Sequence, residues 1–248
     1  MDKNFFDKNI IITGSSSGLG RELSLSLDAL GAKLVLLGRN KKSLLKTKSL
    51  MKNKHKYIIC DFSKLNDTQK KIKEIFKGKK FDGLVHGAGN YMLSPLQLIN
   101  ENEITDAVNT NLISPFLITK EFCKRSNFNN DASIIFVSSV TAIIGSSSLS
   151  IYSMTKSGQV GLARSLAVEM ASKKIRVNSI SPGLVNSRIS EVLSSNTDSD
   201  SFENIKKKHL LGIGEYSDIV SSILFLLSDK SKWITGSNMI VDGGYSIN

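Results

Sequence analysis

Short apolar, β-branched runs alternate with stretches of helical apolar spacing along nearly the whole chain. Runs at residues 9–13, 33–38, 57–61, 81–86, 133–139, 175–182 and 237–242 read as strands. Helical spacing predicts helices over 21–30, 65–77, 101–125, 150–171 and about 217–227, with a further surface helix within 41–80. The pattern is that of an α/β protein. From 184 to 209 it breaks down into Ser, Asn, Asp and Lys, with six serines between Ser187 and Ser201. That stretch is expected to form a mobile lid over a site. A chain of 248 residues suits one large α/β domain or two small ones.

Composition changes the picture in one place. The net charge is +11, and residues 41–80 alone hold fourteen lysines against Asp61, Asp67 and Glu74. The rest of the chain is therefore neutral. Lysines coating the exposed faces of two surface helices account for this, and a positive field for an anionic cofactor or an acidic carrier is the functional alternative. The segment has few aromatics and no nucleic-acid motif, so no nucleic-acid partner is expected. No apolar run reaches the ~18 residues of a membrane span and no signal-peptide core follows Met1, which predicts a cytoplasmic protein with no membrane partner. Cys60 and Cys123 form no C-x-x-C and read as core residues, so neither a disulfide nor a metal site is expected.

The first strand runs straight into Gly14-Ser-Ser-Ser-Gly18-Leu-Gly20 and then into a helix. Backbone N–H groups and the positive end of a helix dipole there meet at one point, and glycines let a pyrophosphate approach. Gly14, Ser16, Ser17, Gly18, Leu19 and Gly20 are the candidate contacts. Gly14-Ser-Ser-Ser-Gly18 also matches the G-x-S-x-G elbow of hydrolases, with Ser16 as nucleophile and His209 as the downstream histidine. That fold normally places several strands before the serine. Ser153-Met-Thr-Lys156 matches S-x-x-K, but no S-D-N or K-T-G accompanies it. The second strand ends in Gly38-Arg39, where an NAD site would carry an acid for the ribose hydroxyl. Arginine instead of a carboxylate suits a 2′-phosphate, so NADP(H) is expected over NAD(H). Asp61 and Phe62 are positioned to bracket an adenine ring. Gly87, Ala88 and Gly89, past the fourth strand, leave room for a flat ring against backbone. His86 reads as a packed strand residue. Asn111, on an otherwise apolar helix, requires a backbone or water partner.

Ser139, Tyr152 and Lys156 carry the candidate chemistry. Tyr152 and Lys156 are four residues apart and share one helix face, where a lysine charge would favour the phenolate. Ser139 ends an apolar strand, so its hydroxyl is expected at the sheet edge. The helix holding the pair carries only Arg164 and Glu169 as further charges, which predicts cover on both sides, by the sheet and by another subunit.

With Thr13-Gly-Ser-Ser-Ser-Gly-Leu-Gly20, Asp61, His86-Gly-Ala-Gly89, Asn111, Ser139, Tyr152-Ser-Met-Thr-Lys156, Pro182-Gly183 and Val241-Asp-Gly-Gly244 in this order, the chain resembles the short-chain dehydrogenase/reductase family. It is most similar to members of about this length that include 3-oxoacyl-acyl-carrier-protein reductases. The resemblance spans essentially the whole chain and implies one doubly wound Rossmann domain over 1–248, with a seven-stranded parallel sheet and helices on both faces. It also implies a nicotinamide dinucleotide, with Pro182 and Gly183 among its contacts, and a homotetramer or dimer. In the implied reaction Tyr152 is the proton donor, Ser139 holds the substrate oxygen, and Lys156 binds the nicotinamide ribose. Asn111 anchors a water that passes protons to Lys156. The implied substrate is a carbonyl or secondary alcohol, a 3-oxoacyl thioester or alternatively a sugar; a dinucleotide binder without turnover is the non-enzymatic alternative. His86-Gly87 stands where the family has two asparagines, and Thr155 where serine is more usual.

Overall fold

The computed structural model describes residues 5–196 and 198–248. Residues 1–4 of the N-terminal stretch and Thr197 of the 184–209 stretch lie outside them. Seven parallel strands form one sheet in the order β3-β2-β1-β4-β5-β6-β7. They are β1 (Asn9–Thr13), β2 (Lys33–Gly38), β3 (Lys56–Ile59), β4 (Phe81–His86), β5 (Phe128–Val137), β6 (Arg176–Pro182) and β7 (Asn238–Val241). The helices are α1 (Gly18–Ala29), α2 (Lys41–Ser49), α3 (Leu65–Ile75), α4 (Glu101–Val108), α5 (Ser114–Phe122), α6 (Ser150–Met170), α7 (Arg188–Ser195), α8 (Ser199–Lys208) and α9 (Tyr216–Leu227).

Strand residues alternate between two cores, as the pleat requires. Ile11, Val35, Leu37, Leu84, Ile134 and Phe136 face Ile75, Ile118, Phe122, Ala163 and Leu166 from α3, α5 and α6. Ile10, Ile12, Leu34, Leu36, Val85 and Ile135 face Leu23, Leu27, Leu44, Ile219 and Ile223 from α1, α2 and α9. Helices thus cover both faces. That explains why the strands read as continuous apolar runs. The strand order reverses between β1 and β4, and in such sheets the crevice beyond that pair's C-terminal ends is the ligand site.

Two expected elements differ. The helix expected over 101–125 is α4, a π-turn at Asn109–Ile113, and α5. Pro115 explains the break, since it has no N–H for the carbonyl of Asn111 and its ring crowds that carbonyl. The strand expected at 133–139 begins earlier and ends at Val137; Ser139 caps the 3₁₀ turn Val140–Ala142 that follows, its Oγ accepting from the N–H of Thr141. The serine-rich 184–209 stretch contains helices α7 and α8, capped by Ser187 and Asp198 respectively. Among the described residues, no helix is long and apolar enough to cross a membrane.

Candidate active site

The glycine turn is closely fitted to its neighbours. Gly14 has φ +78°, and a methyl group on it would lie 2.6 Å from the carbonyl oxygen of Gly87. Only a glycine permits β1 and β4 to exit so close together. Thr13 Oγ1 accepts from the N–H of Ala88 at 3.1 Å, tying the two exits. Behind the turn, Arg21 donates Nη2 to the carbonyl of Ser16 and Nε to Thr47 Oγ1, which donates to the carbonyl of Ser15. Helix α1 begins with neither a side-chain cap on Ser17 nor an acidic residue in its first turn. Its leading N–H groups, including those of Leu19 and Gly20, suit an anion. A dinucleotide diphosphate therefore fits this cradle. Gly38 at the end of β2 packs beside Ser16, where a methyl would meet Cβ and Oγ at 3.2 Å, and Arg39 next to it is exposed.

Asp61 follows β3, half-buried, its Oδ1 accepting from the backbone and hydroxyl of Ser63. Phe62 corrects an expectation. Its ring is buried in the core with Cys60 and Phe76, and its carbonyl accepts from Ser114, so no phenyl face brackets an adenine. The hydrophobic drive to bury an aromatic ring outweighs stacking it on a ligand at the surface. Gly183 is constrained by packing, since a methyl there would lie 2.7 Å from Cα of Asp242. Pro182 ends β6 beside it.

Ser139, Tyr152 and Lys156 converge. Tyr152 is buried beside Ser139 and packed edge-on against Tyr91 with ring centroids 5.1 Å apart. Lys156 Nζ stands 5.5 Å from the Tyr152 ring centroid and donates to the carbonyl of Val137 at 2.7 Å. A methyl on Gly89 would lie 3.4 Å from that Nζ and 3.7 Å from Oδ1 of Asn111. Helix spacing brings tyrosine and lysine together, and the end of β5 delivers the serine.

The electrostatics differ from the expected phenolate. Burial pushes the Tyr152 phenol well above its ordinary range, with the neighbouring Ser139 hydroxyl opposing it, and burial lowers Lys156 to about 7. Desolvation penalises both charged forms and is the largest influence on each. Tyr152 accordingly keeps its proton at neutral pH.

The side chain of Asn111 is held by protein groups. Its Oδ1 accepts from the N–H of Asn90 at 2.7 Å, and Nδ2 donates to the carbonyl of Asn90 and to Thr155 Oγ1. Its backbone carbonyl accepts from Gln159 Nε2 at 2.7 Å. Gln159, Tyr91 and Arg21 have no place in the sequence motifs. The signal for Gln159 was a polar residue on an apolar helix face; Tyr91 and Arg21 gave none.

The hydrolase and S-x-x-K readings fail on geometry. His209 Nε2 accepts from the N–H of Leu184, and Nδ1 bonds the carbonyl of Ile205. His55 bonds Asp28, and His86 bonds Thr119 while stacking on Phe136. No histidine is left for Ser16. Ser153 Oγ has no hydrogen-bond partner, so Lys156 is not its base.

The sequence from 14 to 246 matches a family model described as enoyl-(acyl carrier protein) reductase. The chain belongs to the short-chain dehydrogenase/reductases. It is an oxidoreductase of that family. The 3-oxoacyl-[acyl-carrier-protein] reductase of Bos taurus is 31% identical over 97% of this chain and 99% of its own. That of Rickettsia felis is 29% identical, covering 96% of each. Among solved structures, 4-hydroxyisoleucine dehydrogenase complexed with NADH superposes with a TM-score of 0.88 at 27% identity, over 98% of this chain and 100% of that one. A glucose/ribitol dehydrogenase of Brucella melitensis gives 0.89 at 28% identity over 99% of each.

Proposed function

We propose that this short-chain dehydrogenase/reductase is an NADP(H)-dependent, cytoplasmic reductase of carbonyl substrates, with 3-oxoacyl thioesters the leading class. The observation that carries the reading is the convergence of Ser139, Tyr152 and Lys156 beside the strand-order reversal. A bound nicotinamide dinucleotide supplies hydride to the carbonyl carbon. Tyr152, kept protonated by burial, gives its proton to the carbonyl oxygen, and Ser139 hydrogen-bonds that oxygen as charge develops. Lys156 N–H groups offset the phenolate left behind, which solvent then reprotonates. Gly14, Ser16, Ser17, Gly18, Leu19 and Gly20 would hold the diphosphate, Arg39 the 2′-phosphate, Asp61 the adenine, and Gly87, Ala88 and Gly89 the adjoining ring. Pro182 and Gly183 would line its far side, and 184–209 would serve as the lid.

Similarity to named reductases of 3-oxoacyl thioesters at 31% identity supports the substrate class. Similarity to the hydroxyisoleucine and glucose/ribitol dehydrogenases supports a second reading, oxidation of a small secondary alcohol by the same groups. Apolar side chains on α5 and α6, Phe116, Met154 and Val168, are exposed and support a homo-oligomer built on that face.

Parallel fluorescence titrations with NADPH and NADH, followed by turnover assays with a 3-oxoacyl thioester and keto-sugars, test the proposal. Tight NADPH binding with substrate-dependent oxidation is expected. Tyr152→Phe is expected to lose roughly 10²-fold or more in kcat with NADPH affinity within about threefold. Full turnover by that variant would remove Tyr152 from the proton-donor role, and absence of binding by either dinucleotide would sink the reading.

A further inference from the structure

Gln159 is the most unusual side chain near the site. It is completely buried on α6, three residues beyond Lys156 and on the same helix face. Burying a glutamine forfeits its hydration and its rotamer freedom, so the position is stable only with both ends of the amide satisfied. Both ends are engaged within the site. Oε1 accepts from Lys156 Nζ at 3.3 Å, and Nε2 donates to the backbone carbonyl of Asn111 at 2.7 Å. That carbonyl is accessible to a side chain because Pro115, four residues on, brings no N–H to it.

We infer that Gln159 is a positioning residue for Lys156, its carboxamide tying the lysine directly to the π-turn at Asn111. This rests on the proposed role of Lys156 in proton transfer. With Val137 as the second acceptor, the lysine has two N–H groups fixed and one left for a ligand on the Gly89 side. A carboxamide neither gains nor loses a proton near neutral pH. The link therefore orients Nζ and favours its charged form without carrying protons from Asn111 to it.

The titratable groups facing Nζ are phenols, Tyr152 on its own helix and, beyond it, Tyr91 from the loop after β4. From β5 and the π-turn come the neutral Val137 carbonyl and Asn111. No carboxylate among the described residues offsets the desolvation of Lys156. Changing the acceptor at 159 must then move the lysine in opposite directions according to its charge.

The test is the ¹³Cε titration of Lys156 in the cofactor-free protein, its resonance assigned with Lys156→Arg. The pH profile of kcat with NADPH and acetoacetyl-coenzyme A would be recorded alongside. Relative to the parent chain, Gln159→Leu is expected to lower the lysine midpoint and Gln159→Glu to raise it, each by about one pH unit. The alkaline limb of the kcat profile is expected to move the same way. Gln159→Glu keeps an acceptor facing Nζ while giving up the Nε2 donor to the Asn111 carbonyl, so its upward shift tests the lysine contact should Gln159→Leu fail to fold. Equal midpoints in folded variants would overturn the inference. Opposite shifts in the titration, in a parent chain that oxidises no NADPH, would uphold the link and overturn the functional reading instead.

Discussion

At the scale of single residues, charge placement decides which dinucleotide the site prefers. Arg39 is exposed at the end of β2, beside a glycine that lets the strand exit touch Ser16. A guanidinium there attracts a 2′-phosphate and gains nothing from a ribose hydroxyl pair. Arg39→Ala is expected to weaken NADPH roughly 10-fold or more, in line with the loss of a charge-assisted contact, and to leave NADH nearly unchanged. Competition titrations of the two dinucleotides read this directly, and equal losses for both would remove Arg39 from the phosphate site. Lys156 illustrates the opposite limit. Burial has cost it much of its basicity, and two carbonyl acceptors are what keep its ammonium form accessible.

Between elements, the lysine-rich α2–β3 region is held to the sheet by a buried clasp. Asp28 on α1 accepts from the backbone N–H groups of Lys52 and Asn53 and pairs with His55 at 2.8 Å. His55 Nδ1 in turn accepts from the N–H of Leu34 on β2. Burial alone would raise the Asp28 carboxyl, but the bonds from His55, Lys52 and Asn53 together hold it below its ordinary range. A depressed carboxylate contributes stability that is complete above its unfolded pKa of about 4 and lost as pH falls through the folded value. Urea midpoints of the parent chain are thus expected to fall on acidification below about pH 5, and those of Asp28→Asn to start lower and fall less steeply. Parallel curves for the two proteins would show that the clasp has no part in the acid response. The π-turn between α4 and α5 is a second junction of this kind, since it turns Asn111 toward both Asn90 and α6.

Over the whole molecule, the charged and apolar surfaces separate. The lysines of 41–80 lie on α2, β3 and α3 and on the turns flanking them, toward the β3 edge of the sheet, whereas the exposed apolar side chains Phe116, Met154 and Val168 lie on α5 and α6. Val168 is 80% exposed, which costs solvation unless another surface covers it. Val168→Asp is expected to shift the protein toward monomer in analytical ultracentrifugation with NADPH affinity retained; an unchanged sedimentation coefficient would move the interface elsewhere. The sequence by itself determined the strand and helix succession, because apolar periodicity follows directly from which faces are buried. It also determined the glycine turn and the pairing of Tyr152 with Lys156, because those depend on near neighbours in the chain. The ring of Phe62, the partner of Asn111 and the dominance of burial at Tyr152 were decided only by the tertiary structure. Each depends on groups from distant elements, as when Gln159 on α6 takes the carbonyl that Pro115 leaves open, and no local spacing records such a meeting.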